Sequence, residues 1–159
     1  MKKRLTSLAL SAMMVLSMVP ATAFAAKDAG TPPTYNSATG CYEISTPPQL
    51  LYLAGKWKDG APRDGHYVLT ADIDMTGVKA DRIKKAEGFT GTFDGQFHSI
   101  KGLRVEYEKK YAGLFGYVGN QNDQAYIKNV ALLDCYVTGQ QNVGALAGVN
   151  YGTITDCVV

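Results

Sequence analysis

The sequence predicts an all-β protein whose chain winds as a coil, a β-solenoid with one short helix near its start. Three observations carry this. A strand-corner-strand phrase recurs as "IKGLRV", "IKNVAL" and "ITDCVV". Ile73, Ile100, Ile127 and Ile154 follow one another at a constant spacing of 27. From His66 onward short apolar runs alternate with Gly- and Asn-rich turns, and only one stretch carries helix-start signals.

The chain of 159 residues opens with a segment that is not part of the fold. Lys2, Lys3 and Arg4 precede an apolar run from Leu5 to Val19, and Ala23-Phe24-Ala25 supplies a small-x-small cleavage site. Residues 1–25 therefore read as a signal peptide. The apolar run is about fifteen residues, short of the roughly twenty that span a bilayer, and Pro20 follows it. No transmembrane span is expected after cleavage. Ala26, not cysteine, follows the leader, which excludes a lipoprotein anchor there. Three of the sixteen basic residues leave with the leader, so against fourteen acidic residues the exported chain is near minus one. No clustered Lys/Arg face remains, and nucleic acid is not an expected partner.

Residues 26–40, "AKDAGTPPTYNSATG", lack periodicity and read as a flexible leader, with order beginning at Cys41. An extended "YEI" follows. Thr46 then suits an N-cap, Pro47 the first helical position, and Gln49 the third, the arrangement of a capping box. Leu50, Leu51, Leu53 and Ala54 give the apolar face of a helix over about 47–57, ended by Gly55 or Gly60. In "YVLTADIDM" the period changes to two: Leu69, Ala71, Ile73 and Met75 share one face, and Thr70, Asp72 and Asp74 the other.

Each recurring phrase has apolar residues at positions one, four and six. The step of three resets side-chain alternation by one residue. Position three is Gly102, Asn129 or Asp156, types that tolerate a left-handed backbone. A chain that turns this corner repeatedly can stack its corners, each turn about 4.8 Å from the last. One turn alone cannot bury its apolar face; neighbouring turns do. A second repeated phrase, "AGLFG" and "GALAG", supplies another wall, with Leu114 and Leu146 inward and Gly116 and Gly148 permitting close approach. A sandwich of antiparallel hairpins is the alternative reading of short strands between turns.

The segments "GFTGTFDGQFHSIKGLRVEYEKKYAGLFGYVG" and "IKNVALLDCYVTGQQNVGALAGVNYGTITDC" resemble the GLUG-motif repeats of large secreted and surface proteins of bacteria, and "YEISTPPQLLYLA" with "YVLTADIDMTG" is similar to the segment preceding such repeats. The likeness covers about residues 41–159. It implies a right-handed parallel β-helix with the helix as its N-terminal cap. The motif is also found in IgA-specific metalloendopeptidases and adhesin-like proteins, where the repeats accompany the activity. No His-Glu-x-x-His occurs here, so no peptidase site carries over. Residues 41–159 are thus expected to be the cap and first coils of a β-helix truncated at its C-terminus, the front of a longer protein. The implied function is a non-enzymatic, secreted or cell-surface, adhesin-like scaffold. The alternative is the accessory N-terminal region of a secreted hydrolase.

Candidate chemistry is sparse, and no catalytic, cofactor-binding or metal residue is assigned. Asp72, Asp74 and Asp94 could converge as a calcium site or as glycan-cleaving carboxylates. The simpler reading is an outward strand face, with Asp74 beside Lys101 and Lys101 beside Lys128. His98 reads as a turn residue, because no nucleophile can be set next to it. Tyr107, Tyr111, Tyr117, Tyr126, Tyr136 and Tyr151 could together bind sugar rings or a protein partner, although strand propensity accounts for most tyrosines. Cys41, Cys135 and Cys157 are an odd number with no zinc or redox spacing. They read as small buried hydrophobes, with a Cys135–Cys157 bridge left open. The partner expected is an unidentified protein or glycan, with self-association through the uncovered coil end as a further route.

Overall fold

The computed structural model describes residues 30–54, 61–83 and 88–159. The segment 1–25 expected to be a signal peptide, and Gly55, Trp57 and Gly60, lie outside the described residues. Ordered structure begins before Cys41. Strand β1 (Thr34–Asn36) pairs antiparallel with β2 (Cys41–Ile44), and the amide of Thr31 donates to the Pro48 carbonyl at 3.1 Å. Part of the stretch expected to be flexible is therefore fixed by ladder hydrogen bonds that its Pro- and Gly-rich composition does not advertise.

Helix α1 (Pro47–Ala54) starts as its cap residues dictate. The Thr46 carbonyl accepts from the amide of Leu50 at 3.2 Å, which makes Thr46 the N-cap. Gln49 Oε1 reaches back to the amide of Ser45 at 2.8 Å and to the Thr46 hydroxyl at 3.1 Å, one residue beyond the usual capping-box partner. Leu50, Leu53 and Ala54 bury the inner face.

The rest of the described chain is strand and turn. After β3 (His66–Leu69), β4 (Ile73–Asp74) and β5 (Lys79–Ala80), the chain makes β6 (Thr92–Asp94), β7 (Ser99–Lys101), β8 (Arg104–Glu106), β9 (Lys110–Ala112) and β10 (Phe115–Val118). It then repeats the series as β11 (Tyr126–Lys128), β12 (Ala131–Leu133), β13 (Tyr136–Thr138), β14 (Gln141–Val143) and β15 (Ala147–Asn150), and begins again with β16 (Thr153–Thr155). The sheet orders are β1-β2-β3-β6-β11-β16, β4-β7-β12, β5-β8-β13, β9-β14 and β10-β15. Apart from β1 with β2, every pairing between these strands is parallel. Beyond the β1–β2 pair, the described strands are not joined as the antiparallel hairpins of the sandwich alternative. The fold is all-β with one helix, in short, largely parallel sheets.

The register corrects the 27-residue repeat. Ile73 lies opposite Ile100, and Ile127 opposite Ile154, as that spacing requires. Ile100, however, lies opposite Leu132, and Ile127 opposite Phe93, in a different sheet. The partner of "IKGLRV" is "LLDCYV", residues 100 and 132 being 32 apart, whereas "IKNVAL" belongs with "ITDCVV". Each pass turns more than one corner, and the corners share one requirement: apolar residues inward around a residue that accepts positive φ. Gly102 (φ 67°) and Asp134 (φ 51°) hold one corner, Asn129 (φ 54°) and Asp156 (φ 52°) another, and Tyr111 (φ 71°) and Asn142 (φ 54°) a third.

The core lies between the sheets. Tyr67, Phe93 and Ile127 stack in one column, Ile73, Ile100 and Leu132 in a second, and Ala80 and Val105 in a third, all buried. Burying one such aliphatic or aromatic side chain contributes about 1.5–3 kcal/mol. Leu114 and Leu146 are buried as expected. A Cβ on Gly116 would come within 2.8 Å of Arg82 Nη1, and one on Gly148 within 2.7 Å of the Tyr111 carbonyl carbon. The glycines of the repeated phrase therefore let the preceding pass lie directly over them.

Candidate functional site

The side chains that can act on a partner are those the sheets turn outward. In β5-β8-β13, Ala80, Val105 and Val137 point inward, so their neighbours point out, with Lys79, Arg104 and Tyr136 in one file. The Arg104 guanidinium lies over the Tyr136 ring, 4.6 Å from its centroid. Glu106 is bonded by Lys79 Nζ at 2.9 Å and by Arg104 Nε at 2.8 Å, with Arg104 Nη2 closer still. Hydrogen bonds from Lys79 and then Arg104 hold its carboxyl below the usual glutamate range.

Where these strands end, the surface is hollow. A cavity of about 510 Å³ is lined by Glu106, Tyr107, Glu108, Thr138, Gly139 and Gln140. A second, of about 240 Å³, is bounded by Lys79, Ala80, Asp81 and the same Glu106 and Tyr107. The two share a wall and make one groove across three passes of the chain. Tyr107 is fixed by Arg82, whose guanidinium carbon sits 4.0 Å from the ring centroid and whose Nη2 donates to the phenol oxygen at 3.0 Å. Arg82 Nη1 also donates to the Tyr111 carbonyl at 2.7 Å. Beside it the Tyr111 and Tyr117 rings lie 4.6 Å apart. Burial, then the hydrogen bond with Tyr111, pushes the Tyr117 phenol up to about 12.

The three aspartates singled out in the sequence serve separate corners. Asp72 accepts from the Ser99 amide at 2.7 Å, Asp74 from the Thr76 amide at 2.9 Å, and Asp94 from the Gln96 amide at 2.9 Å. Asp94 also accepts from Asn129 Nδ2 at 3.0 Å and pairs with Lys128 at 3.2 Å. Burial raises its pKa, but the bonds from Gln96, Asn129 and Lys128 outweigh that and leave it lowered. Among the described residues no three of His, Cys, Asp and Glu converge as a metal cage requires. His98 Nδ1 lies 3.4 Å from Asp72 Oδ1, a partner the sequence could not supply. Hydrogen bonding from Ser99, ahead of that from His98, lowers the Asp72 pKa.

The expected charge ladder is corrected at one step. Asp74 does pair in register with Lys101, but Lys101 lies opposite Leu133 and approaches Asp134 at 3.8 Å, while Lys128 faces Asp94. Like charges are thereby kept apart. The six tyrosines divide: Tyr107, Tyr111 and Tyr117 gather near the groove, Tyr136 lies on the sheet beside Arg104, and Tyr126 and Tyr151 are half-exposed elsewhere. All three cysteines are free and partly exposed, so the bridge is not made and they are not fully buried. Cys157 instead donates to the Thr155 carbonyl at 3.1 Å. The sequence missed Glu106, Glu108 and Gln140, because only the 32-residue register brings the segments 106–108 and 138–140 together.

No protein-family model matches the chain, and no solved structure matches it. Among curated proteins it is similar to halomucin of Haloquadratum walsbyi, 32% identical over 133 residues, covering 73% of this chain and 1% of that protein. It is also similar to a provisionally named Gly-rich membrane protein of Evansella cellulosilytica, 32% identical over 105 residues, covering 59% of this chain and 12% of that protein. The chain thus spans only a small part of these relatives' lengths. Among the described residues no helix is long and apolar enough to cross a membrane.

Proposed function

We propose that the chain is a non-enzymatic, exported module that works at or beyond the cell surface, an adhesin-like scaffold of the GLUG-motif type wound as a right-handed parallel β-helix. The observation that carries this reading is the parallel pairing of β2, β3, β6, β11 and β16, each with the strand of the next pass. Such stacking makes an extensible rod with a repeated outer surface, suited to display rather than to enclosing a substrate. Support for location comes from the N-terminal leader and from relatives of which one is named a membrane protein. The coverage of 1% and 12% of those relatives supports a part played within a larger protein.

The test is export. Expressed with its own leader in a bacterial host, the chain is expected on the cell surface or in the medium, with mass spectrometry placing the new N-terminus at Ala26. Retention in the cytoplasm with the leader intact would remove the surface reading.

A further inference from the structure

We propose that the groove around Tyr107 binds a neutral carbohydrate chain, laid across successive passes of the protein. This deepens the surface-module reading and rests on it only for access to the glycan. Four features of the groove select the ligand class.

The lining offers mainly acceptors and amide groups: Glu106, Glu108, Thr138 and Gln140 in the larger part, Asp81 in the smaller. Ionised carboxylates only accept hydrogen bonds, and sugar hydroxyls are donors that can meet them. Glu106 is already anchored by Lys79 and Arg104, so little side-chain entropy is lost on binding. Tyr107 stands where the two cavities meet, held from moving by Arg82, and gives a sugar ring a flat surface with a polar tip.

The same lining disfavours other ligands. Asp81, Glu106 and Glu108 line the groove, and the cations beside it are turned onto groups of the chain itself, Lys79 and Arg104 onto Glu106 and Arg82 onto Tyr107 and the Tyr111 carbonyl, which disfavours uronates, sulfated glycans and nucleic acid. Only Ala80 and Tyr107 are apolar, too little for a lipid or a hydrophobic helix. Across the groove the amide of Tyr107 donates to the Thr138 carbonyl at 3.0 Å and that of Gln140 to the Lys109 carbonyl at 3.1 Å, so the main chain between these two passes is paired. An extended peptide would add instead to the outer edge of β13, away from Tyr107.

The experiment titrates the isotope-labelled mature chain with cellohexaose, xylohexaose, mannohexaose and chitohexaose, followed by amide NMR, with hexagalacturonate and a lysine-rich decapeptide as comparators. At least one neutral hexasaccharide is expected to shift resonances of residues 106–108 and 138–140. Tyr107→Ala should weaken that binding at least tenfold. Because loss of the ring also frees Arg82, the exposed Glu108→Lys variant is run beside it, with circular dichroism checking that both fold, and it should weaken binding severalfold. The proposal is overturned if none of the neutral sugars shifts those resonances, if hexagalacturonate or the peptide binds as well, or if folded Glu108→Lys binds unchanged. Binding by a chain that is not exported would refute the surface reading alone, and export without binding would refute the groove alone.

Discussion

Asn129 turns a corner at a φ of 54°, where an ordinary L-residue is strained by about 1–2 kcal/mol. Its side chain offsets that by donating to Asp94 on the preceding pass at 3.0 Å. Alanine keeps the strain and loses the bond; glycine loses the bond but not the ease of turning. Asn129→Ala is therefore expected to destabilise by about 1–2 kcal/mol in urea denaturation, and Asn129→Gly by less. The reverse order would mean that the corner conformation is not what asparagine supplies. Tyr111, at φ 71°, is the harder case, since a bulky residue has no local compensation. Its carbonyl is taken by Arg82, and Gly148 of the next pass lies against its backbone, so tertiary contacts hold it there. Nothing in the segment "KKYAG" announces such a corner, because the cause lies in residues 82 and 148.

At the scale of the element, α1 rests on Gln49. Its buried carbonyl oxygen accepts from the Ser45 amide and from the Ser45 and Thr46 hydroxyls. Gln49→Ala leaves the Ser45 amide without that acceptor and is expected to cost about 1–2 kcal/mol in denaturant unfolding. Gln49→Glu, which keeps the acceptor oxygen, should cost less. This helix was legible in the sequence because its signals are local: a cap, a proline and a glutamine within four residues. The corners were legible for the same reason, as Gly102, Asn129 and Asp156 all take positive φ. Which corners stack was not legible, since two different corners of a pass ask for the same residue types. "IKGLRV" and "IKNVAL" look like copies yet lie in different sheets. The groove was lost by that confusion. A 27-residue step sets Glu106 against Leu133, whereas the true register sets it beside Thr138 and opens the space lined by Gln140.

Over the whole molecule the interior is a set of columns, and a residue's burial depends on whether a pass covers it from both sides. At one end β1 is the outer strand of the six-stranded sheet, and α1 buries its own Leu50 and Leu53 in the core. At the other end β13, β14, β15 and β16 each have a strand neighbour on one side only. Inward residues lose cover accordingly: Val105 is fully buried but its partner Val137 is not, and Ile127 is fully buried while Ile154 is not. Val158 and Val159 are 61% and 69% exposed. Within each sheet a strand is bonded only to the strands on either side of it, so local opening costs the pairings that must be broken. A middle pass breaks two interfaces and the last pass one. Hydrogen–deuterium exchange is therefore expected to be slowest in peptides spanning 92–106 and 112–132 and markedly faster across 136–159, with the faster region opening below the global unfolding free energy. Equal protection along the whole chain would show that the passes open as one cooperative unit rather than by nearest-neighbour contact, and the graded burial would then carry no graded stability.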